Sequence, residues 1–150
     1  MRAQRPLLRA LDANTNRARE GLRVCEDLVR FVIGSERDFR QLRSLRHGLN
    51  RAMRRLPVTA RQLVAARDSV RDPGRRARGA PVQSVEHLLL LNLQRTKEAL
   101  RVVEECSRVL CPPAASVFQT LRFRTYDVER DLVLHLASVR DPRPGRRRRP

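Results

Sequence analysis

Arginine and carboxylate side chains recur along two segments of this chain at helical spacing. On a wheel of about 100° per residue, Asn16, Glu20, Arg23, Asp27 and Arg30 fall in one arc, and Gln94, Glu98, Arg101, Glu105 and Arg108 fall in another. Such neighbours at i,i+3 and i,i+4 can be solvated ion pairs worth a few tenths of a kcal/mol each. They can also build a polar site. Arg grips phosphate through its planar, bidentate fork. Asp and Glu suit Mg²⁺, which takes one or two carboxylates plus phosphate oxygens. The sequence favours the second chemistry because the stripe occurs twice. Asn16 to Asp27 reads NRAREGLRVCED and Gln94 to Glu105 reads QRTKEALRVVEE, identical at six of twelve positions at an offset of 78. Asn14/Asn92 and Arg30/Arg108 match at the same offset. Solvated charges have no reason to be spared in a second copy.

The elements that must hold these residues are helices. Pro6 opens a first helix to Ile33, broken by Gly34-Ser35, and Ser35 can cap a second from Glu36 to Leu56, before Pro57. Residues 57–84 are an irregular connection with turn signals at Asp72-Pro73-Gly74 and Gly79-Ala80-Pro81 and room for a short helix near Thr59 to Ala66. A third helix starts near Ser84 and stops before Cys111-Pro112-Pro113, and a fourth runs from Ala114 to about Ser138. Each copy of the stripe is followed by a helix with a Leu-Arg pair, Leu45-Arg46 and Leu121-Arg122. The expectation is an all-α bundle of four long helices, built as one domain over residues 1–138 from two duplicated hairpins, 7–56 and 85–138. An Arg/Pro-rich tail, 139–150, is expected to be disordered. Leu11, Ala18, Leu22, Cys25 and Val29 share the apolar side of the first helix, and Cys25 and Cys106 both fall on positions expected in the core.

Composition excludes several classes. The chain has 150 residues, 3% aromatics and no Trp, which argues against an all-β fold. Its net charge is +17, and of 33 basic residues only Lys97 is lysine. That balance favours anionic partners. The longest apolar run, Leu88 to Leu91, is far below a membrane span of roughly 18 residues, so no membrane association is expected. Three cysteines without a CxxC motif fit a reduced, cytoplasmic setting. The three histidines have no metal-ligand spacing, and neither GxxxxGK[ST] nor GxGxxG occurs.

The segment Asp12-Ala13-Asn14-Thr15-Asn16-Arg17-Ala18-Arg19-Glu20-Gly21-Leu22-Arg23-Val24-Cys25-Glu26-Asp27 resembles the opening signature of a small bacterial family. That family is the monofunctional hydroxymethylpyrimidine phosphate kinases of thiamine biosynthesis, often fused in front of thiamine phosphate synthase. Ala65-Ala66-Arg67-Asp68, Arg95 to Glu105, and Leu121-Arg122-Phe123-Arg124-Thr125-Tyr126-Asp127 are similar too, so the resemblance covers about residues 7 to 136. It departs at Arg71-Asp72-Pro73-Gly74-Arg75, where the family tends to have a Gly-Asp-Val-Gly-Thr-like turn. The resemblance implies transfer of the ATP γ-phosphoryl group, with Mg²⁺, to 4-amino-5-hydroxymethyl-2-methylpyrimidine phosphate.

Carried onto this chain, the resemblance implies catalytic roles for Arg23, Glu26, Arg101 and Glu104. Substrate contacts are implied for Asn14, Asn16, Arg17, Glu20, Asn92, Arg95, Glu98, Arg122, Arg124 and Asp127. Arg67 and Asp68 would close over the nucleotide. Glu26, Asp27 and Glu104 would hold Mg²⁺ or orient the arginines. The implied partners are the phosphorylated pyrimidine, ATP and thiamine phosphate synthase; a homodimer is compatible with this reading. Two alternatives stand beside it. One is a catalytically inactive helical partner of the synthase. The other is a basic helical protein that binds nucleic acid non-specifically through its tail, although carboxylates among the arginines repel DNA and stacking aromatics are scarce.

Overall fold

The computed structural model describes residues 4–79 and 81–140 and is all-helical among them. The elements are α1 (Gln4–Leu28), α2 (Glu36–Met53), α3 (Ala60–Ala66), α4 (Val85–Leu110) and α5 (Pro112–Arg140). Local chemistry sets their ends. Gly34 adopts φ 78°, a left-handed conformation that only glycine reaches cheaply, and its N–H donates to Val29 O at 2.9 Å, closing α1. Ser35 then caps α2 by accepting from Asp38 N, and Thr59 and Gln62 form a reciprocal capping box on α3. Ser84, a weak capping signal in the sequence, nonetheless caps α4 by accepting from His87 N.

Three details differ from the sequence reading, the first being that α2 ends at Met53 and not at Leu56. The last turn before Gly34, Val29–Ile33, is π-helical rather than a plain continuation of α1. α5 begins at Pro112, as proline's missing donor allows at the first helical turn, and continues to Arg140. The rest of the basic tail lies outside the described residues.

The central pair is α1 and α4. They run antiparallel: Cys25 Sγ donates to Leu89 O, and further back along α1 Gly21 faces Asn92 and Thr96. α2 folds back on α1, α5 folds back on α4, and α2 packs on α5. Leu11, Leu22, Leu42, Leu93, Phe118 and Leu132 are among the fully buried residues of the common core. Pseudo-twofold symmetry extends to the contacts. Arg19 Nε donates to Asn50 Oδ1 at 2.7 Å, and its repeat counterpart Lys97 lies 4.9 Å over the ring of Tyr126 while pairing with Glu129 at 2.5 Å.

The close approach of α1 to α4 depends on Gly21. A Cβ there would overlap Thr96 Oγ1 and lie 2.9 Å from Asn92 O. Gly21→Ala is therefore expected to destabilise the protein by about 1–3 kcal/mol, outweighing alanine's better helix propensity. Urea unfolding checks this; a stabilised variant would show that the helices part freely.

Cys25 is fully buried, and burial pushes its thiol up to about 12, with Glu26 adding to the effect. Cys106 is also buried, whereas Cys111 is half-buried. A disulfide reagent at pH 8 is expected to titrate Cys111 first and to reach Cys25 only on unfolding, because the thiolate is the reactive form. Equal rates for Cys25 and Cys111 would contradict this packing.

Candidate functional site

The α1–α4 pair leaves a cleft of about 580 Å³ on the face away from the core. Its polar lining is a set of repeat-related pairs: Asn14 and Asn92, Arg17 and Arg95, Glu20 and Glu98. Gly21, Ala99 and Val102 form the floor between them. Small residues at the crossing let the helices come close; the longer side chains one turn away stand on either side.

The two asparagines have a defined orientation. Asn14 Nδ2 donates to Ala10 O at 2.9 Å and Asn92 Nδ2 to Leu88 O at 2.8 Å. A backbone carbonyl only accepts, so each amide must turn its nitrogen to it and its Oδ1 the other way. Arg17 Nη1 donates to Asn14 Oδ1 at 3.4 Å. Glu98 accepts from Gln94 Nε2 at 2.8 Å. Among the described residues neither Arg17 nor Arg95 is paired with a carboxylate. Two guanidinium groups that make no ion pair thus stand in one cleft beside the carboxylates of Glu20 and Glu98.

The connection between the hairpins passes over this cleft. A depression of about 680 Å³ is lined by Arg17, Glu20, Ser69, Asp72, Gly74 and Arg75. A second, of about 730 Å³, includes Arg5, Arg9, Asn14, Arg17, Asp68 and Arg71. Further on, the space for a Cβ at Gly79 lies 3.8 Å from Arg95 Nη2. The strap is held down by several bonds. Arg9 Nη2 donates to Asp68 O at 2.9 Å and pairs with Asp72 at 3.5 Å, and Asp72 Oδ1 accepts from Gly74 N at 2.8 Å. Asp68 pairs with Arg71 at 2.8 Å, and that bond holds its carboxyl below the usual range.

The stripe residues that looked most like chemistry sit elsewhere. Arg23, Glu26, Arg101 and Glu104 do not line the cleft. Glu26, 0% exposed, accepts from Nε and Nη2 of Arg46, the latter at 3.0 Å. Glu104, 1% exposed, accepts from Arg122 Nε at 2.9 Å and Arg101 Nη1 at 3.1 Å. Since the two glutamates and the two Leu-Arg pairs are repeat-related, these are two copies of one buried ion pair, each tying the two helices of a hairpin together. The hydrogen bond that Arg46 donates to Glu26 holds its guanidinium above its usual range. Arg23 pairs with Asp27 at 3.2 Å and Arg101 with Glu105 at 2.7 Å on the exposed flanks. Of the two roles expected of Glu26 and Glu104, orienting arginines is the one their contacts make. Among the described residues no three His, Cys, Asp or Glu side chains converge on a metal-sized site.

The remaining expected residues scatter. Arg67, expected over the nucleotide, turns instead to Asp12, pairing at 2.6 and 3.1 Å, and pins the connection to α1. Asn16 donates to the same Asp12 at 3.4 Å. Arg124 reaches Ser44 Oγ on α2 at 3.3 Å, and Asp127 is exposed on α5. Asp68 does face the strap depression. Sequence reading gives no role to Arg46, Arg5 or Arg9, and marks Arg71 to Arg75 only as a departure from the family's turn. The repeated Leu-Arg pair was the available signal for Arg46; the others carried none beyond charge.

Comparison with known proteins finds relatives along most of this chain. The sequence is 35% identical over 138 residues to a thiamine-phosphate synthase of Rhodopirellula baltica, covering 90% of this chain and 36% of that protein. It is 36% identical over 146 residues to one of Gloeobacter violaceus, covering 89% and 40%. To one of Synechocystis it is 38% identical over 130 residues, covering 85% and 36%. The chain thus spans little more than a third of these relatives. No solved structure matches. No helix among the described residues is long and apolar enough to cross a membrane. The family model described as the ThiD2 family matches residues 9–131, nearly all of the helical domain, and the chain belongs to that family.

Proposed function

We propose that this protein acts in thiamine biosynthesis as a phosphotransferase, moving the γ-phosphoryl group of ATP onto 4-amino-5-hydroxymethyl-2-methylpyrimidine phosphate to give the diphosphate. The observation that carries the reading is the pair Arg17 and Arg95, repeat-related across one cleft and free of carboxylate partners among the described residues. The thiamine-phosphate synthases that contain a homologous region support the pathway.

The chemistry suits such a cleft. An oxygen of the pyrimidine's phosphate attacks the γ-phosphorus, the bond from that phosphorus to the β,γ-bridging oxygen breaks, and ADP leaves with the electron pair. The acceptor is already anionic at neutral pH, so no proton has to be removed. Charge is conserved from a monoester dianion and a triphosphate tetraanion to two trianions. Catalysis is then positioning and charge neutralisation. Arg17 and Arg95 hold the two phosphates that must approach. The outward Oδ1 atoms of Asn14 and Asn92 can accept from the amino group of a pyrimidine. Glu20 and Glu98 are the carboxylates in the cleft that would help to hold Mg²⁺ carried by the triphosphate, and the ion would there neutralise phosphate charge.

Phosphorus NMR of a mixture of protein, Mg-ATP and the pyrimidine monophosphate tests the reading. Growth of a second diphosphate alongside ADP is expected. A second reading, a helical partner of thiamine-phosphate synthase with no chemistry of its own, is favoured by the fact that the homologous region forms only part of those synthases. A folded sample that makes no diphosphate but binds the synthase selects it.

A further inference from the structure

We infer that the strap divides the two chemically equal halves of the cleft, so that the nucleotide lies on the Arg17 side beneath residues 68–75 and the pyrimidine monophosphate lies on the Arg95 side; this rests on the phosphotransferase reading above. The central helices alone do not choose. Asn14, Arg17 and Glu20 on α1 offer the same groups as Asn92, Arg95 and Glu98 on α4, with Asn14 and Asn92 making the same bond one turn back. Whatever distinguishes two different phosphorylated ligands must come from outside the repeat.

Residues 68–75 of the connection supply it, on one side; on the other the connection brings only Gly79 close to Arg95. The two depressions under the strap both contain Arg17, and neither contains Arg95. Around Arg17 they add the guanidinium groups of Arg5, Arg9, Arg71 and Arg75. Three carboxylates stand among them, Glu20, Asp68 and Asp72, against five guanidinium groups with Arg17 included. Asp68 is already paired with Arg71, and Asp72 with Arg9 and the Gly74 amide. The excess of positive charge suits a polyphosphate. The Arg95 half has one guanidinium and one carboxylate, a match for a single monoester phosphate. The floor of the larger depression is Pro6, Ala10, Ala13 and Ala66, a small-residue apolar surface on which a flat base can lie.

The arrangement also orders the reaction. Arg17 belongs to the cleft and to both strap depressions, and Glu20 to the cleft and one of them. The last phosphate of a nucleotide held under the strap therefore arrives at Arg17, and the acceptor phosphate waits across the crossing at Arg95. The phosphorus–oxygen bond forms between those two guanidinium groups, and ADP remains under the strap.

Binding measured by calorimetry on the full chain tests this, with ADP and the pyrimidine monophosphate titrated separately into the parent, Arg75→Ala and Arg95→Ala proteins. Arg75 is on the exposed strap, so its loss leaves the core untouched; Arg95→Gln replaces Arg95→Ala if the latter melts early. Arg75→Ala is expected to weaken ADP tenfold or more and to leave the pyrimidine phosphate within twofold of the parent. Arg95 variants are expected to do the reverse. Equal weakening of both ligands, an exchanged pattern, no change in either, or a parent that binds neither overturns the division. Because binding needs no turnover, a protein that shows the split but forms no diphosphate rejects the phosphotransferase reading and leaves the division standing.

Discussion

Arg46→Met is expected to lower the unfolding free energy by about 3 kcal/mol or more, because it leaves buried Glu26 without a hydrogen-bonded guanidinium, and Arg122→Met by less, because Arg101 at 3.1 Å and Arg108 at 3.6 Å still pair with Glu104. Glu26 and Glu104 have essentially no contact with solvent, so neither can be rescued by water when its guanidinium is taken away. The arginines are more accessible, at 22% and 12% side-chain exposure, and lose less when the glutamate goes. Breaking a pair by removing one partner is far costlier than exchanging both, since a well-packed apolar pair of similar volume restores much of the loss. The combined change Glu26→Leu with Arg46→Met is thus expected to recover most of the stability that Arg46→Met loses. Urea unfolding at neutral pH gives both numbers. A loss below about 1 kcal/mol for Arg46→Met would mean that water reaches Glu26, contrary to this packing.

Arg17→Ala and Arg95→Ala are each expected to lower kcat/KM for the pyrimidine monophosphate by about tenfold to a hundredfold while the fold survives. Each loses a charge-assisted contact worth about 1.5–3 kcal/mol. Arg23→Ala is the informative control. Its guanidinium is half exposed and paired with Asp27 outside the cleft, so its removal is expected to change the rate by less than twofold. Initial rates on the four proteins, with melting curves beside them, decide. If Arg23→Ala loses as much as Arg17→Ala, the reaction belongs to the flanking stripe and not to the cleft.

That contrast marks where the sequence was legible. Gly34, Ser35, Thr59 and Pro112 state their structural roles locally, and the helices begin and end beside them. The repeat was legible as well, and three of its matched pairs, at 14/92, 17/95 and 20/98, are the polar lining of the cleft. A helical wheel, however, gives directions on one helix and not the neighbours. It drew attention to the longest line of charges, through Arg23 and Asp27. The cleft opens along another arc, where polar residues alternate with Gly21 and Ala99, small side chains that permit the crossing. Arg46 and Glu26 belong to different helices, and Arg67 finds Asp12 at a separation of 55 residues, so no local pattern announces either bond. The π-helical turn before Gly34 is equally silent, since Val29–Ile33 reads as ordinary helix.

The central claim is that the cleft joins two phosphates and has no means of activating an alcohol. With no histidine in its lining, its carboxylates Glu20 and Glu98 assigned to Mg²⁺, and arginines that need a phosphate to hold, the site gives a ligand lacking that group neither a nucleophile nor binding energy to use in the transition state. A coupled ADP assay with Mg-ATP measures this directly, using 4-amino-5-hydroxymethyl-2-methylpyrimidine phosphate and the free hydroxymethylpyrimidine at matched concentrations. The account predicts ADP release with the monophosphate and none above background with the free alcohol; comparable turnover of both, or turnover of neither by a well-folded sample, would contradict it.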